Sequence, residues 1–354
     1  MAHRITKPPQ PARDITGFED FTKFMNNKTE KFTKLWGRDT DLQDELSSLI
    51  SELREDALEE ASQFPNPSID DIHGSMSGTK PTRAAGSDFV RKNDIMLLPE
   101  EGLHELGGIL GQSIRTLALP LQFLLNFIAL APKPKGGERP ITITSILYGL
   151  FIRLFSGSLS EWTEGRSNHW DAAVKGSSAL SAALARSAQA EIAYNQGKDF
   201  AGIFWDSEAF FDSICITKLV QAARRLNFSP MVLYLGLQCH LASRVFKIGN
   251  WLSDTVEPLT SIIAGCNLSD KFTKIIFYEV LELAHAQFRG IDFGQFFDDI
   301  AQINAVPKGK SFWGFIKSVF LRLNNSKLFD LPSPRANRCW SGPPPGSPDT
   351  SSND

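Results

Sequence analysis

Hydrophobic residues recur with helical spacing over several segments of the chain. Between residues 41 and 61 the leucine, isoleucine and alanine positions fall on one face, as in an amphipathic helix. Pro99, followed by Glu100 and Glu101, is typical of a helix start, because proline suits the first position and acids favour the dipole there. Pattern and composition together predict helices over eight segments, namely 41–61, 99–117, 145–162, 177–196, 215–227, 230–242, 268–287 and 311–323.

Short apolar runs between polar turns predict strands elsewhere. The runs 123–130 and 141–144 flank a loop that carries Lys133, Lys135 and Arg139, so they predict a β-loop-β finger with cations at its tip. Further strands are predicted over 200–205, 244–248 and 258–263, and on both sides of a turn at 296–299.

Polar and proline-rich segments divide the chain. Residues 65–86 are rich in Pro, Ser, Gly and Asp, which indicates a linker or loop. The segment after residue 331 has too few apolar residues to bury and is expected to be disordered. We therefore expect an N-terminal extension at 1–86, a main domain at 87–330 and a tail at 331–354.

Two acidic segments carry the candidate chemistry. Asp206 follows the apolar run 200–205, while Asp298 and Asp299 occupy a turn inside another apolar run, where desolvation is costly unless a cation is bound. Nucleotidyl transfer uses two Mg²⁺ ions roughly 4 Å apart, and such ions are held by carboxylates. Asp206 and Asp298 on neighbouring strands would supply that geometry, with Asp299 in support. The alternative is that Asp206 caps the start of a helix and that Asp298 and Asp299 lie in an exposed turn, where aspartate is common.

Composition restricts the class of protein. A chain of 354 residues with 42% hydrophobic content can bury a core. The net charge of −3 gives no overall basic field, so nucleic-acid binding would depend on local basic clusters. Four cysteines without C-x-x-C spacing favour a reducing, intracellular setting, nuclear or cytoplasmic. The one long uncharged stretch, 116–132, contains Pro, Gln and Asn, and we expect no membrane span.

Four short motifs stand in a recognisable order, at 132–141, 206–212, 264–269 and 296–299. The second, with Asp at its first and seventh positions, resembles the first palm motif of the reverse transcriptases of non-LTR, LINE-like retrotransposons. The fourth resembles their aromatic-x-Asp-Asp motif. The third is similar to the intervening Gln-Gly motif, and the first to the finger motif. The resemblance covers about residues 97–299.

This resemblance implies an α+β fold with a right-hand palm and fingers, in which helices back an antiparallel palm sheet. It implies an RNA-directed DNA polymerase that adds deoxynucleotides from their triphosphates to the 3′-hydroxyl of a DNA primer on an RNA template. Two Mg²⁺ ions, with Mn²⁺ as a substitute, would be held by Asp206, Asp298 and Asp299, which would be both the metal ligands and the catalytic residues.

The resemblance also implies nucleotide-binding residues. Lys133 or Lys135, together with Arg139, would hold the triphosphate, the arginine through its bidentate fork. Phe211 stands at the family's gate position, where a bulky side chain would collide with a ribose 2′-hydroxyl and so favour deoxynucleotides. Gly265 would allow close approach of the backbone to a ligand.

The chain departs from the family pattern in three places. Ala264 replaces the usual glutamine, Phe210 stands where a small residue is common, and nothing after residue 332 is suited to a helical thumb. We therefore expect the thumb to be missing or incomplete. Two alternatives remain open, an RNA-templated RNA polymerase and a degenerate, non-catalytic remnant that binds nucleic acid.

Overall fold

The computed structural model describes residues 18–133, 138–174, 176–206, 209–288, 291–297, 299–307 and 335–340. Over these residues helices and strands are mixed, which confirms the α+β class at this level. The described part forms two compact units, each treated by itself below. The first contains residues of Met1–Ser156, Cys215–Val220 and Phe228–Ser269, and the second those of Gly157–Ile214, Gln221–Asn227 and Asp270–Asp354. The boundary predicted at residues 86 and 87 lies inside the first unit.

The helices of the described residues are α1 (Phe18–Trp36), α2 (Gln43–Ser62), α3 (Ile69–Ser77), α4 (Lys92–Met96), α5 (Glu100–Thr116), α6 (Ile146–Leu154), α7 (Ser156–Gly165), α8 (Ala179–Asn195), α9 (Phe210–Ser213), α10 (Ile216–Arg225), α11 (Pro230–His240) and α12 (Ser269–Gln287). The strands there are β1 (Leu125–Pro132), β2 (Glu138–Ile143), β3 (Lys198–Asp206), β4 (Ser243–Ile248), β5 (Trp251–Val256), β6 (Ile291–Phe296), β7 (Asp299–Pro307) and β8 (Arg335–Trp340). No helix within these ranges is both long enough and apolar enough to cross a bilayer.

The first unit contains a four-stranded sheet in the order β2-β1-β4-β5. Strands β1 and β4 are parallel, and the other neighbours are antiparallel. Helix α1 packs on this sheet, with Phe32 and Trp36 in one buried cluster with Phe246 and Ile128. The rings of Trp36 and Phe246 stack with centroids 6.0 Å apart. Helix α1 was not predicted from the sequence, although its apolar residues recur at helical spacing, with Phe21, Phe24 and Met25 followed by Phe32, Leu35 and Trp36.

Helix α3 contradicts the prediction that residues 65–86 form only a linker or loop. Ser68 and Asp71 form a capping box, in which each side chain accepts the backbone N–H of the other. Ile72 and Met76 are fully buried, and α3 packs against α5 and α6. The loop-forming composition of the segment favoured a loop prediction, although Ser68 and Asp71 are a helix-start signal. Burial of the apolar residues stabilises the helix that follows.

The prediction of a strand over residues 258–263 is also wrong, because the nearest strand, β5, ends before this segment. The N–H groups of Leu259 and Thr260 both donate to the carbonyl of Trp36 at 2.8 Å, and that of Ile263 donates to Nδ1 of His240 at 2.9 Å. These donors are satisfied outside any ladder, so the apolar residues are buried in a loop. The single helix predicted over 145–162 is likewise two helices, α6 and α7, which meet at Phe155.

The second unit contains an antiparallel sheet in the order β6-β7-β3-β8. Helix α8 packs along β3. Strand β8 lies in the segment after residue 331, for which the sequence predicted no order, and it pairs with β3. The helix predicted over 311–323 falls outside the described residues. Strands β6 and β7 form a hairpin, as the sequence predicted.

His240 makes the stability of the first unit depend on pH. Its side chain is fully buried and its Nδ1 accepts the N–H of Ile263, which requires an unprotonated nitrogen. Burial, with the charge of Arg244 as a second cause, lowers the pKa of His240 from 6.5 to about 3.

We expect the free energy of unfolding to fall as pH is lowered from about 6.5 towards 3, because the unfolded chain then binds a proton that the folded chain does not. The contribution is complete above pH 6.5, and its loss amounts to roughly 3–5 kcal/mol. Urea denaturation at several pH values measures it. His240→Gln should flatten the profile, whereas His104→Gln, at an exposed site on α5, should leave it unchanged; equal slopes for both variants would contradict the assignment.

Candidate metal centre

The predicted acids lie at the ends of two neighbouring strands. Strand β3 ends at Asp206 and β7 begins at Asp299. The register pairs Trp205 with Ile300, so the next pair in the same register is Asp206 with Asp299. Opposite residues of an antiparallel pair have Cα atoms about 4.5–5.5 Å apart. The backbone thus brings two of the three predicted ligands together, and Asp298 lies outside the described residues.

The turn between β6 and β7 is short and strained. Phe296 pairs with Asp299, which leaves a two-residue turn that begins with Phe297. Phe297 has φ of +54°, a left-handed conformation that disfavours a residue with a Cβ by about 1–2 kcal/mol. Asn or Gly is the usual choice in such a turn. Strain of this kind is retained mainly at functional sites, which makes the turn a candidate for one.

The side chain of Gln295 restrains the turn through a hydrogen bond. Its side chain is 3% exposed, and Nε2 donates to the carbonyl of Phe297 at 2.9 Å. Its backbone N–H donates to the carbonyl of Trp170 at 2.7 Å, and its carbonyl accepts the N–H of Ala172 at 2.8 Å. The outer edge of β6 is therefore paired locally with the segment around Asp171, a contact that we call the Asp171–Gln295 bridge.

A buried ion pair anchors this bridge to α12. Oδ2 of Asp171 lies 2.5 Å from Nζ of Lys274, and their side chains are 1% and 7% exposed. Lys274 also donates to Oγ of Ser167 at 3.1 Å, and Oδ1 of Asp171 accepts the N–H of Ala173 at 2.9 Å. Removing one partner of such a pair leaves a buried charge without compensation. These residues were not predicted from the sequence, because nothing local in it indicates that they meet.

The space beneath the turn is too small for a nucleotide. A cavity of about 20 Å³ is lined by residues that include Asp270, Gln295 and Phe297. This volume is close to that needed for one water molecule. A nucleotide would therefore have to bind outside this cavity.

Arg186 is a further residue of this region that was not predicted from the sequence. It lies half-buried on α8, with its guanidinium carbon 5.8 Å from the ring centroid of Phe204. Burial lowers the pKa of Arg186, while attraction to Asp299 and Asp292 opposes that shift. The alanine-rich composition of α8 indicated only a helix. The structure adds a cation that attracts the exposed carboxylate of Asp299.

The two phenylalanines after β3 have different environments. Phe210 is 2% exposed and stacks on Phe277 with ring centroids 5.1 Å apart, so it belongs to the core. Phe211 is half-buried and meets Phe210 edge to face at 5.3 Å. The residue predicted as the gate is therefore the one that retains accessible surface.

The other predicted nucleotide-binding residues belong to the first unit. Strands β1 and β2 form the predicted β-loop-β arrangement, with Ala131 opposite Arg139. Lys133 and Arg139 are exposed near its tip, and Lys135 lies outside the described residues. Gly265 has φ of +86°, so its conformation requires glycine although the space around an added Cβ is open.

We expect Gln295→Met to lower the free energy of unfolding by about 1–3 kcal/mol, because the carbonyl of Phe297 would lose a buried hydrogen bond. Chemical denaturation of the full chain measures the change. Gln196→Met, at an exposed position after α8, is the matched control and should change stability by less than about 0.5 kcal/mol. Equal denaturation midpoints for both variants would contradict the bracing role of Gln295.

The donor set suits a hard cation, since carboxylate oxygens are the preferred ligands of Mg²⁺ and Mn²⁺. Among the described residues, no three His, Cys, Asp or Glu side chains are grouped closely enough to hold a metal ion, and Asp298 is not among those residues. Comparison of the chain with protein-family models and with curated proteins returned no match.

Proposed function

We propose that this chain is the palm and fingers of a reverse transcriptase, an RNA-directed DNA polymerase. One observation carries the proposal. The ladder of β3 and β7 ends with Trp205 opposite Ile300, so Asp206 and Asp299 are the next residues of the two strands, beside the strained two-residue turn of the β6–β7 hairpin. An acid at a strand end next to an acidic hairpin turn is the arrangement that the four motifs of the sequence imply.

The reaction joins a deoxynucleotide to a primer. The primer 3′-hydroxyl loses its proton to solvent and its oxygen attacks the α-phosphorus of the incoming triphosphate. A new P–O bond forms, the bond to the β-phosphate side breaks, and pyrophosphate leaves. Asp206, Asp298 and Asp299 would hold two Mg²⁺ ions, which supply charge neutralisation at the attacking and leaving oxygens. The carboxylates act as ligands, and no covalent enzyme intermediate is required.

The surroundings of the hairpin suit a positioning role. The bond from Gln295 to the carbonyl of Phe297 restrains the turn, and the buried Asp171–Lys274 pair restrains the segment that covers β6. Arg186 attracts the ionised form of Asp299. A site built on paired strands holds its ligands within a narrow range of positions, which this chemistry needs.

The finger would contribute contacts to the triphosphate. Lys133 and Arg139 are exposed and extend from a β-hairpin, so they are available to an anionic ligand, and Lys135 is proposed to act with them. The planar guanidinium of Arg139 can bind two phosphate oxygens at once. Gly265 would let a ligand approach the backbone.

We expect Asp206→Asn and Asp298→Asn to reduce primer extension on an RNA template by at least about 100-fold, the scale seen when a charge-stabilising group is removed. Incorporation of labelled deoxynucleotide into a DNA primer, with and without Mg²⁺, measures it. Asp254→Asn, at an exposed position of β5, is the control and should retain wild-type extension. If Asp298→Asn extends the primer as well as wild type, the proposal is refuted.

A non-catalytic remnant that binds nucleic acid is the second candidate, and Ala264 in place of the motif's glutamine favours it. It predicts that the wild-type chain binds RNA but shows no Mg²⁺-dependent incorporation at any enzyme concentration. The same extension experiment therefore separates the two candidates.

We expect Phe211→Val to admit ribonucleotides, because a smaller side chain leaves room for the 2′-hydroxyl. The ratio of ribonucleotide to deoxynucleotide incorporation should rise by about 10-fold or more, which corresponds to the loss of about 1.4 kcal/mol of discrimination. Phe204→Val, at an exposed aromatic of β3, is the control and should keep the wild-type ratio. A wild-type chain that already prefers ribonucleotides would instead favour an RNA-templated RNA polymerase.

A further inference from the structure

A basic cavity lies in the first unit, and none of the residues that line it belongs to the four motifs. Its volume is about 300 Å³, at the lower end of the range of about 300–1,000 Å³ that is usual for ligand pockets. Its lining consists of Gly78, Thr79, Lys80, Thr82, Arg83 and Arg153. Three cations and two hydroxyl groups thus converge on one space, and no carboxylate is among the described residues that line it. We call it the basic cavity.

The guanidinium groups of the basic cavity are held in place by hydroxyl groups. Arg83 donates through Nη2 to Oγ1 of Thr144 at 3.0 Å, and Arg153 donates through Nη1 to Oγ1 of Thr79, which is 3% exposed. Within the described part of the chain, neither arginine forms an ion pair with an acid. Each guanidinium has five N–H donors, so most of them stay available to a ligand.

A glycine on α6 leaves space for Arg83 beside Arg153. A Cβ at Gly149 on α6 would lie 3.1 Å from Nη1 of Arg83, so a larger residue there would displace the arginine. Burial, and secondly the charge of Arg83, lower the pKa of Arg153. Two like charges that face a common space favour an anion between them.

We propose that the basic cavity binds a backbone phosphate of single-stranded RNA. Arginine forks and a lysine ammonium are the groups that recognise phosphate, and threonine hydroxyls add neutral donors. Lys80 and Thr82 are exposed, so a phosphate bound here can belong to a strand that continues into solvent. The choice of RNA rests on the proposed function. The anion site itself rests only on the basic cavity.

The first experiment compares two lysine reversals in the full chain. Lys80→Glu changes the charge of the basic cavity at an exposed position, and Lys23→Glu makes the same change on the exposed face of α1. Binding of a fluorescein-labelled 12-nucleotide oligouridylate is followed by anisotropy in EDTA over a series of chloride concentrations. We expect Lys80→Glu to weaken binding by about 10-fold or more and to reduce the slope of log K against log salt by about 0.7 or more. Lys23→Glu should bind as wild type does.

Arg153→Lys provides a second, conservative test, because it keeps the charge and removes the fork. We expect an intermediate loss of RNA affinity, with a thermal unfolding midpoint that shows the variant to be folded. Wild-type affinity in both Lys80→Glu and Arg153→Lys would overturn the proposal.

Inorganic phosphate tests whether the bound phosphate belongs to an RNA strand or is a free ion. If wild type is stabilised against heat by phosphate relative to chloride of equal ionic strength, and Lys80→Glu loses both this stabilisation and RNA affinity, the strand assignment is supported. Loss of phosphate stabilisation with unchanged RNA affinity would overturn it in favour of free phosphate. RNA binding is measured in EDTA, without the Mg²⁺ that primer extension needs, so a failure of the polymerase proposal is distinguishable from a failure of this one.

Discussion

The pairing of β3 with β7 is the constraint on which the candidate metal centre depends. Residues 201–203 of β3 and 300–304 of β7 are all buried, and the register sets Ala201 and Ile203 opposite the buried polar residues Asn304 and Gln302. A slip by one residue would turn every side chain of the shifted strand to the opposite face of the sheet and break these pairings. It would also separate Asp206 from its partner position, so packing in the middle of the sheet determines where the acids stand at its edge.

Around the β6–β7 hairpin, buried polar groups select one conformation more than they add to the free energy of unfolding. A buried ion pair such as Asp171–Lys274 contributes little net free energy compared with a well-packed apolar pair, yet it allows only one arrangement of the groups it joins. Together with the bond from Gln295 to the strained Phe297, it selects a single position for the turn. A hairpin that must present charged groups to a ligand needs such selection.

Helical periodicity made α2 predictable from the sequence, and a proline followed by two acids indicated the start of α5. Short apolar runs indicated β3 and the β6–β7 hairpin, on which the acids of interest could be placed. Helix α3 was missed because loop-forming composition outweighed a capping signal at Ser68. The strand predicted at 258–263 failed because the N–H groups there bond to a distant carbonyl and a buried histidine, which no local pattern reveals. The contacts of Lys274 and Arg186 were out of reach for the same reason, since both depend on residues far away in the sequence.

Helix α1 has a practical consequence for work with shorter versions of this chain. Phe32 and Trp36 cover Phe246, and Lys28 of α1 forms an ion pair at 2.5 Å with Glu138 of the finger strand β2. A fragment trimmed to the motif-bearing region would uncover these rings and lose the ion pair of Lys28 with Glu138. Exposed aromatic surface of this kind promotes self-association, so such a fragment is expected to precipitate even if every residue of the candidate centre is intact.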